Sequence, residues 1–212
     1  MSKIDICYLE KMANFEFGCR KRECIMRIGI IGGSFNPPHK MHKELGLIVL
    51  RNNLVDKVIY VPTGDKYPKN DLIEGIHRFQ MLKLMCKDNL NLEVSDIEIK
   101  KGKMATYQTI NYFKKLYSTD QIYFILGSDL YAELNTWKHS QYLKEQCYFI
   151  LIDRIGFHHK LDLTDKTIIC KENIKELSST YIRNNLNQAI REELLDKRVI
   201  DYIKKHKLYC HE

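Results

Sequence analysis

From residue 26 onward, short apolar runs alternate with longer segments in which apolar residues recur every three or four positions. The short runs are rich in Ile, Val, Tyr and Phe and predict β-strands. They lie at residues 26–31, 57–61, 92–99, 121–126, 147–152 and 167–170. The periodic segments predict helices at 42–53, 72–86, 107–117 and around 138–144. This alternation predicts an α/β fold, a Rossmann-like doubly wound parallel sheet with helices on both faces and ligands at the carboxyl ends of its strands.

The two ends of the chain lie outside this alternation. Residues 1–25 combine mixed charge with isolated aromatic residues and precede the first strand, so they form an N-terminal extension of uncertain order. Residues 26–212 then form one domain. After Thr180, two further helices are predicted at 181–195 and 196–206, and they form a C-terminal helical segment that packs onto the sheet. In the helix at 72–86, one apolar face is predicted to contain Ile73, Ile76, Phe79, Leu82 and Met85.

The composition fits one globular domain with an anionic partner. The chain has 212 residues, of which 44% are hydrophobic and 29% charged. Its 34 basic and 27 acidic residues give a net charge of +7, which leaves nucleotide, nucleic acid and membrane surface open as partners. An uninterrupted apolar span and an apolar signal core are both missing from the sequence, so a cytoplasmic protein is expected.

The cysteines predict reduced thiols. Seven are scattered along the chain without a CxxC pair, which is neither a disulfide framework nor a zinc-ribbon spacing. Cys86, Cys147 and Cys170 lie inside apolar runs, where a thiol behaves as a small hydrophobic side chain. The pairs at 158–159 (His-His) and 210–211 (Cys-His) could hold a metal only together with distant ligands, and we expect none.

The segment GGSFNPPHKMH, at residues 32–42, carries the most informative chemistry. It directly follows the first predicted strand, where glycines let backbone amides approach a ligand and the next helix presents its unpaired N–H groups. This arrangement favours a phosphate. The segment has neither the GK[ST] of a Walker loop nor a GxGxxG fingerprint. The predicted phosphate-binding backbone is that of Gly32, Gly33, Ser34 and Phe35.

His39 and His42 stand at i and i+3 and therefore point the same way from the first turn of that helix. Three uses remain open for them. They could donate hydrogen bonds to phosphate oxygens, bind zinc with further ligands, or be ordinary polar surface. The adjacent glycine turn favours phosphate.

A second segment, LSSTYIR at residues 177–183, places three hydroxyl residues before a predicted helix and Arg183 in its first turn. Ser and Thr are preferred at helix N-termini on stability grounds alone, so Ser179 and Thr180 also fit a simple cap. The cap does not account for Arg183. A guanidinium beside helix amides and hydroxyls forms a second oxyanion site, suited to the outer phosphates of a triphosphate.

Together these two segments resemble the HxGH and ISSTxxR boxes of a nucleotidyltransferase superfamily. The opening GGSFNPPH resembles, more narrowly, the bacterial-type nicotinate-nucleotide adenylyltransferases. Further similar blocks are VPTG at 61–64 with Lys69, HR at 77–78, TYQT at 106–109 and GSD at 127–129 followed by Trp137. Met41 stands where the HxGH box has glycine, so it either alters the backbone approach to the ligand or lines the adenosine pocket.

The resemblance implies an enzyme of NAD biosynthesis that transfers the adenylyl group of ATP to nicotinate mononucleotide, giving deamido-NAD and pyrophosphate. Because the attacking phosphate is already an anion, catalysis reduces to alignment and charge neutralisation. The resemblance assigns catalysis to His39, His42 and Arg183. It assigns ATP binding to these three residues, to the loop from Gly32 to Phe35, and to Ser179 and Thr180. Mg²⁺ is expected to accompany ATP.

On the mononucleotide side, the resemblance implies stacking of the pyridine on Trp137, against the alternative that a lone Trp is core packing. Tyr107, Thr109 and Asp129 would lie near the phosphate or ribose, and Lys69 could add charge or be a solvated lysine. Alternatives left open are nicotinamide mononucleotide or phosphopantetheine as acceptor, and a nucleotide- or RNA-binding module without turnover. We expect no metal-ligating side chains, no nucleic-acid partner and no membrane partner, and homo-oligomerisation stays open.

Overall fold

The computed structural model describes residues 25–69, 71–153, 161, 163–172 and 177–209. In this part of the chain, six parallel strands form one sheet in the order β3-β2-β1-β4-β5-β6. The strands are β1 Arg27–Gly33, β2 Lys57–Pro62, β3 Leu92–Val94, β4 Gln121–Gly127, β5 Tyr148–Ile152 and β6 Thr167–Cys170. The strand order reverses between β1 and β4, so their carboxyl ends mark the switch point at which such sheets bind ligands.

Helices cover both faces of this sheet. They are α1 Lys40–Arg51, α2 Gly75–Cys86, α3 Ile97–Lys101, α4 Thr106–Leu116, α5 Ser128–Ala132, α6 Ser140–Gln146, α7 Ser179–Asn184, α8 Leu186–Arg191 and α9 Lys197–Lys205. Neighbouring residues of β1 belong to two separate hydrophobic clusters. Ile31 shares its cluster with side chains of α1, α2 and α9, whereas Ile30 shares its cluster with side chains of α4 and α6. Burial on both faces explains the continuous apolar runs. The predicted doubly wound α/β fold is confirmed.

Two predicted elements have the wrong extent. The strand predicted at 92–99 ends at Val94, and the next apolar residues belong to α3, where Ile97 and Glu98 are buried. A short apolar run does not distinguish a strand from a buried helical turn. The helix predicted at 181–195 is two helices that meet at Asn185, whose backbone (φ −134°, ψ 41°) is not helical. The Asn185 side chain donates to the Tyr181 carbonyl at 3.0 Å and so competes with helical backbone bonding.

The buried face of α2 agrees with the prediction in part, because Leu82 and Met85 are buried as predicted. Ile76 is 51% exposed, whereas Arg78 is completely buried. The hydrophobic side chains that α2 buries are Met81, Leu82, Met85 and Cys86. The N-terminal part of α2 therefore buries a charged residue, Arg78, next to the carboxyl ends of the strands.

The three cysteines in apolar runs, Cys86, Cys147 and Cys170, are buried and form no disulfide, as predicted. Burial raises the pKa of Cys86 and of Cys147 to about 12. Most of the predicted extension (residues 1–24) and the pairs at 158–159 and 210–211 lie outside the described residues. None of the helices in the described ranges has the length and apolar content that crossing a membrane requires.

Candidate active site

The two histidines lie together at the start of α1. His39 precedes the helix in an extended conformation, and its backbone N–H donates to Nδ1 of His42 at 3.2 Å. The two imidazoles stack with their centroids 3.6 Å apart and their planes at 26°. Because Nδ1 of His42 accepts a hydrogen bond, the neutral ring carries its proton on Nε2. His42 is thereby oriented as an Nε2–H donor.

His39 is the more buried member of the pair, with 3% of its surface exposed. Burial lowers the pKa of His39 to about 4, so its imidazole is neutral near pH 7. Its Nδ1 is buried and has no hydrogen-bond partner among the described residues. An unsatisfied buried nitrogen costs free energy, which a polar ligand atom at this position would recover.

The burial of His39 predicts a loss of stability in acid. Its folded pKa, about 4, lies below the ordinary value of 6.5, so the unfolded chain takes up a proton that the folded chain rejects. The free energy of unfolding should therefore decrease by roughly 2–3 kcal/mol as the pH falls from 6.5 to 4. Denaturant unfolding of the wild type and His39→Gln at pH 7 and pH 4.5 checks this. An equal acid loss in both proteins would contradict it.

Phe35 supports the pair from the core. Its backbone is in the left-handed region (φ 47°), and its side chain is 1% exposed. The ring meets the His42 ring edge-on at a centroid distance of 4.9 Å. Gly33 leaves the space that this ring needs, because a Cβ there would lie 3.2 Å from the Phe35 ring. The Phe35 side chain thus holds an imidazole, and only its backbone is left for a ligand.

Arg183 reaches the same loop from the C-terminal part of the chain. Its Nη1 donates to the Asn36 carbonyl at 2.7 Å, and Ser179 Oγ donates to the Pro37 carbonyl at 2.9 Å. Arg183 Nη2 also lies 3.4 Å from Thr180 Oγ1. The N-cap is Ser178, so Arg183 lies in the second turn of α7. The prediction that it lies in the first turn was wrong. The two sequence motifs therefore meet, although 147 residues separate Asn36 from Arg183.

Asn36 is the centre of these contacts and is completely buried. Its Nδ2 donates to the Asp71 carbonyl at 2.7 Å, and its Oδ1 accepts from the Tyr209 hydroxyl at 2.8 Å. Together with the bond from Arg183, these contacts connect the loop to three distant parts of the chain. Sequence reasoning did not identify Asn36 or Tyr209.

A third residue that sequence reasoning did not assign to the site, Arg78, supports the loop from α2. Its guanidinium donates to the Ile73 carbonyl at 2.9 Å, the Ser34 carbonyl at 3.1 Å and Asp65 Oδ1 at 2.8 Å. The sequence did contain a signal, because Arg78 belongs to the HR block at 77–78. The predicted apolar face of this helix did not include it.

Lys69 adds another positive charge at the loop, because its Nζ donates to Ser34 Oγ at 2.9 Å. Burial, Arg183 and Arg78 together lower the pKa of Lys69. The three cations repel one another across this loop. Such a cluster favours a polyanionic ligand.

A cavity of about 500 Å³ opens beside Gly32 and Gly33. Its apolar wall includes Phe124 and Trp137, whose rings meet at 74° with centroids 6.0 Å apart. Trp137 is half-buried, so it packs on the core and still presents a surface to the cavity. Core packing is thus observed for Trp137, and stacking of a pyridine on its remaining surface stays a prediction.

The polar lining of this cavity includes one of the three polar residues predicted near the mononucleotide's phosphate or ribose. Thr109 contributes to it, and so does Thr106. Tyr107 instead turns its ring against His139, with centroids 4.3 Å apart. Asp129 is the second residue of α5, directly after β4, and Met41 is half-buried in the first turn of α1.

Glu98 brings a buried carboxyl to the same cavity. It is 8% exposed, and its Oε1 accepts a hydrogen bond from Thr109 Oγ1 at 2.6 Å. Burial raises the pKa of Glu98 to about 7, although the Thr109 bond and Arg78 act in the opposite direction. Sequence reasoning missed Glu98, because the strand predicted through residue 99 gave no reason to place it at a site.

Comparison with known proteins agrees with this geometry. Residues 30–185 match the Cytidylyltransferase-like family. A protein of Fusobacterium nucleatum named "Probable nicotinate-nucleotide adenylyltransferase" is 38% identical over 189 residues, which cover 85% of this chain and 98% of the relative. One of the same name from Acholeplasma laidlawii is 35% identical over 192 residues, covering 85% and 96%.

Among solved structures, nicotinic acid mononucleotide adenylyltransferase of Plasmodium falciparum complexed with NaAD superposes with a TM-score of 0.73 at 25% identity. The match covers 87% of this chain and 97% of that one. Sequence and structure comparisons therefore agree on one family. The chain belongs to the nicotinate-nucleotide adenylyltransferase family.

Proposed function

We propose that this chain transfers the adenylyl group of ATP to nicotinate mononucleotide, giving deamido-NAD and pyrophosphate in NAD biosynthesis. One observation carries the proposal: the histidine pair and Arg183 converge on the loop after β1, beside a cavity walled by Trp137. The histidines and Arg183 on one side of the loop suit a polyphosphate. The apolar cavity wall on the other side suits a flat ring. The names of the relatives and the NaAD complex of the structural neighbour support the same substrates.

In the proposed reaction, a phosphate oxygen of the mononucleotide attacks the α-phosphorus of ATP. The new P–O bond forms as the bond from the α-phosphorus to the bridging oxygen breaks, and that oxygen leaves with pyrophosphate. The side chains need not remove a proton, because the nucleophile is an anion. Their work is to align the phosphates and to stabilise negative charge that moves toward the leaving group.

Each polar group has a proposed part in this step. His42 donates from Nε2 to a phosphate oxygen at the reacting centre, and His39 binds beside it. Arg183, Ser179 and Thr180 bind the outer phosphates of ATP, and Lys69 adds positive charge beside the mononucleotide. The backbone from Gly32 to Phe35 lies against the phosphates, as expected where glycines end a strand.

Mg²⁺ accompanying ATP is part of this proposal. The described residues bring together no group of three or more His, Cys, Asp or Glu side chains that would hold a metal ion. Imidazole, guanidinium and ammonium groups surround the loop instead, and this set suits phosphate oxygens. Mg²⁺ would therefore be held by the phosphates of ATP and by water, and it would supply further charge neutralisation.

On the acceptor side, we propose that the pyridine stacks on Trp137 and that Thr109 and Thr106 bind polar groups of the mononucleotide. Tyr107 and Asp129 remain proposed neighbours of the ribose or phosphate. A cytoplasmic location is also proposed, and the free buried thiols suit a reducing compartment.

A pyrophosphate-release assay tests the function. With ATP and Mg²⁺, we expect the largest kcat/KM with nicotinate mononucleotide, a smaller value with nicotinamide mononucleotide, and no turnover with phosphopantetheine. Faster turnover of the amide at equal concentration would reverse the proposed acceptor. ATP binding without pyrophosphate release for any acceptor would instead favour a non-catalytic nucleotide-binding module.

A further inference from the structure

We propose that Glu98 is a specificity-determining residue whose ionisation weakens the preference of the cavity for an acidic pyridine mononucleotide over its amide. This inference rests on the proposed function, since it concerns the acceptor side of the same site. It predicts that acceptor preference changes between mildly acidic and alkaline pH.

The geometry fixes the Glu98 carboxyl inside the cavity wall. Glu98 lies in α3 and lines the cavity together with Trp137 and Thr109. Thr109 Oγ1 donates to its Oε1 at 2.6 Å, which restricts the orientation of the carboxyl. Gly64, in the loop after β2, packs directly on the backbone carbonyl of Glu98, so α3 has little room to shift. A charge at this position is therefore held in place and shielded from bulk water.

The other charged groups that face the cavity differ from Glu98 in exposure. Lys103, Glu133 and Lys138 line it from the loops after α3 and α5, and all three are exposed. Solvent screens charges in such positions. Tyr67 also lines the cavity. From α2, buried Arg78 favours the ionised form of Glu98, whereas burial favours the neutral form.

The balance of these effects places the change of charge near neutral pH, since the pKa of Glu98 is raised to about 7. When neutral, the carboxyl does not repel a pyridine carboxylate and can donate a hydrogen bond. When ionised, it repels that carboxylate through a poorly screened medium and leaves the uncharged amide almost unaffected. A repulsion across a cavity of this size corresponds to a change in preference on the order of fivefold to tenfold.

The test is the ratio of kcat/KM for nicotinate mononucleotide to that for nicotinamide mononucleotide, measured from pH 6.0 to pH 8.5. Both acceptors carry the same phosphate, so its own titration cancels in the ratio. We expect the wild-type ratio to fall about fivefold to tenfold over this range. In Glu98→Gln, which has no charge to gain, the ratio should stay constant. A constant wild-type ratio, or the same fall in Glu98→Gln, would overturn the proposal.

Two further variants separate this role from a structural one. Glu133→Gln removes an exposed carboxyl from the same cavity and should keep the wild-type fall in the ratio. Thr109→Val removes the donor that favours ionised Glu98, so the fall should move to higher pH. An unshifted midpoint in Thr109→Val would count against the proposal even if Glu98→Gln did not fold. Absence of turnover with both acceptors would refute the proposed function itself, whereas rapid turnover at a constant ratio would refute only this inference.

Discussion

Replacing His42 by Ala is expected to lower kcat by about 10²- to 10³-fold while the protein stays folded. The His42 ring is held from three sides, by the His39 backbone N–H, the His39 ring and the Phe35 ring. Its Nε2–H is therefore positioned before the substrate arrives. Such a preorganised donor acts most strongly on the charge that develops in the transition state, so its loss should affect kcat more than the KM for ATP.

A graded series makes this expectation specific. His42→Gln places an amide N–H near the position of Nε2 and should retain more activity than His42→Ala. His206→Ala removes an exposed histidine of the C-terminal region and should retain wild-type kcat. Steady-state pyrophosphate release, with circular dichroism as a check of folding, measures all three. Wild-type kcat in His42→Ala would contradict the proposed role of the histidine.

Replacing Gly64 by Ala is expected to destabilise the fold by about 3 kcal/mol or more. A Cβ at Gly64 would overlap the carbonyl oxygens of both Gly102 and Glu98. Both obstacles are backbone atoms at the two ends of α3, so relief requires movement of the whole short helix. A flexible side chain at the same distance would cost less, because it could rotate away.

Gly32→Ala is the matched control for this substitution. A Cβ at Gly32 would meet only the Phe124 ring, at 3.7 Å, which is ordinary van der Waals contact. Denaturant unfolding at pH 7 should therefore show a large loss for Gly64→Ala and a small change for Gly32→Ala. A Gly64→Ala protein within about 1 kcal/mol of the wild type would show that α3 is free to move.

The sequence was sufficient for the doubly wound sheet, since the apolar runs and helical periods are preserved in the fold. A joint role for the segments at 32–42 and 177–183 followed only from the family resemblance, because no local pattern shows that they meet. For the buried face of α2 it was right in part: Leu82 and Met85 are buried as predicted, whereas Ile76 is exposed. Apolar periodicity does not include Arg78 in that face, yet Arg78 is buried because loop carbonyls and Asp65 satisfy its guanidinium. Partners this distant along the chain leave no trace in local periodicity. A site commonly breaks the pattern in this way.

The acceptor cavity was predicted less well than the phosphate loop. The TYQT block contains several polar residues at the start of α4, and its spacing does not show which of them face the cavity. Successive helical residues point about 100° apart, so Thr106 and Thr109 line the cavity whereas Tyr107 turns toward His139. Glu98 was missed for a related reason: its side chain reaches the cavity only because α3 replaces the end of the predicted strand.

The hydrogen bond between Tyr209 and Asn36 has a consequence for synthesis of the chain on the ribosome. The two residues lie 173 positions apart, and Arg183 reaches Asn36 only slightly earlier in chain order. At a synthesis rate of roughly 5–20 residues per second, the Tyr209 hydroxyl is made about 9–35 seconds after the Asn36 amide that it contacts. The first strand and the histidine loop are therefore made long before the groups that complete them. During translation, the loop after β1 gains the last of the three contacts of Asn36 only when Tyr209 has left the ribosome.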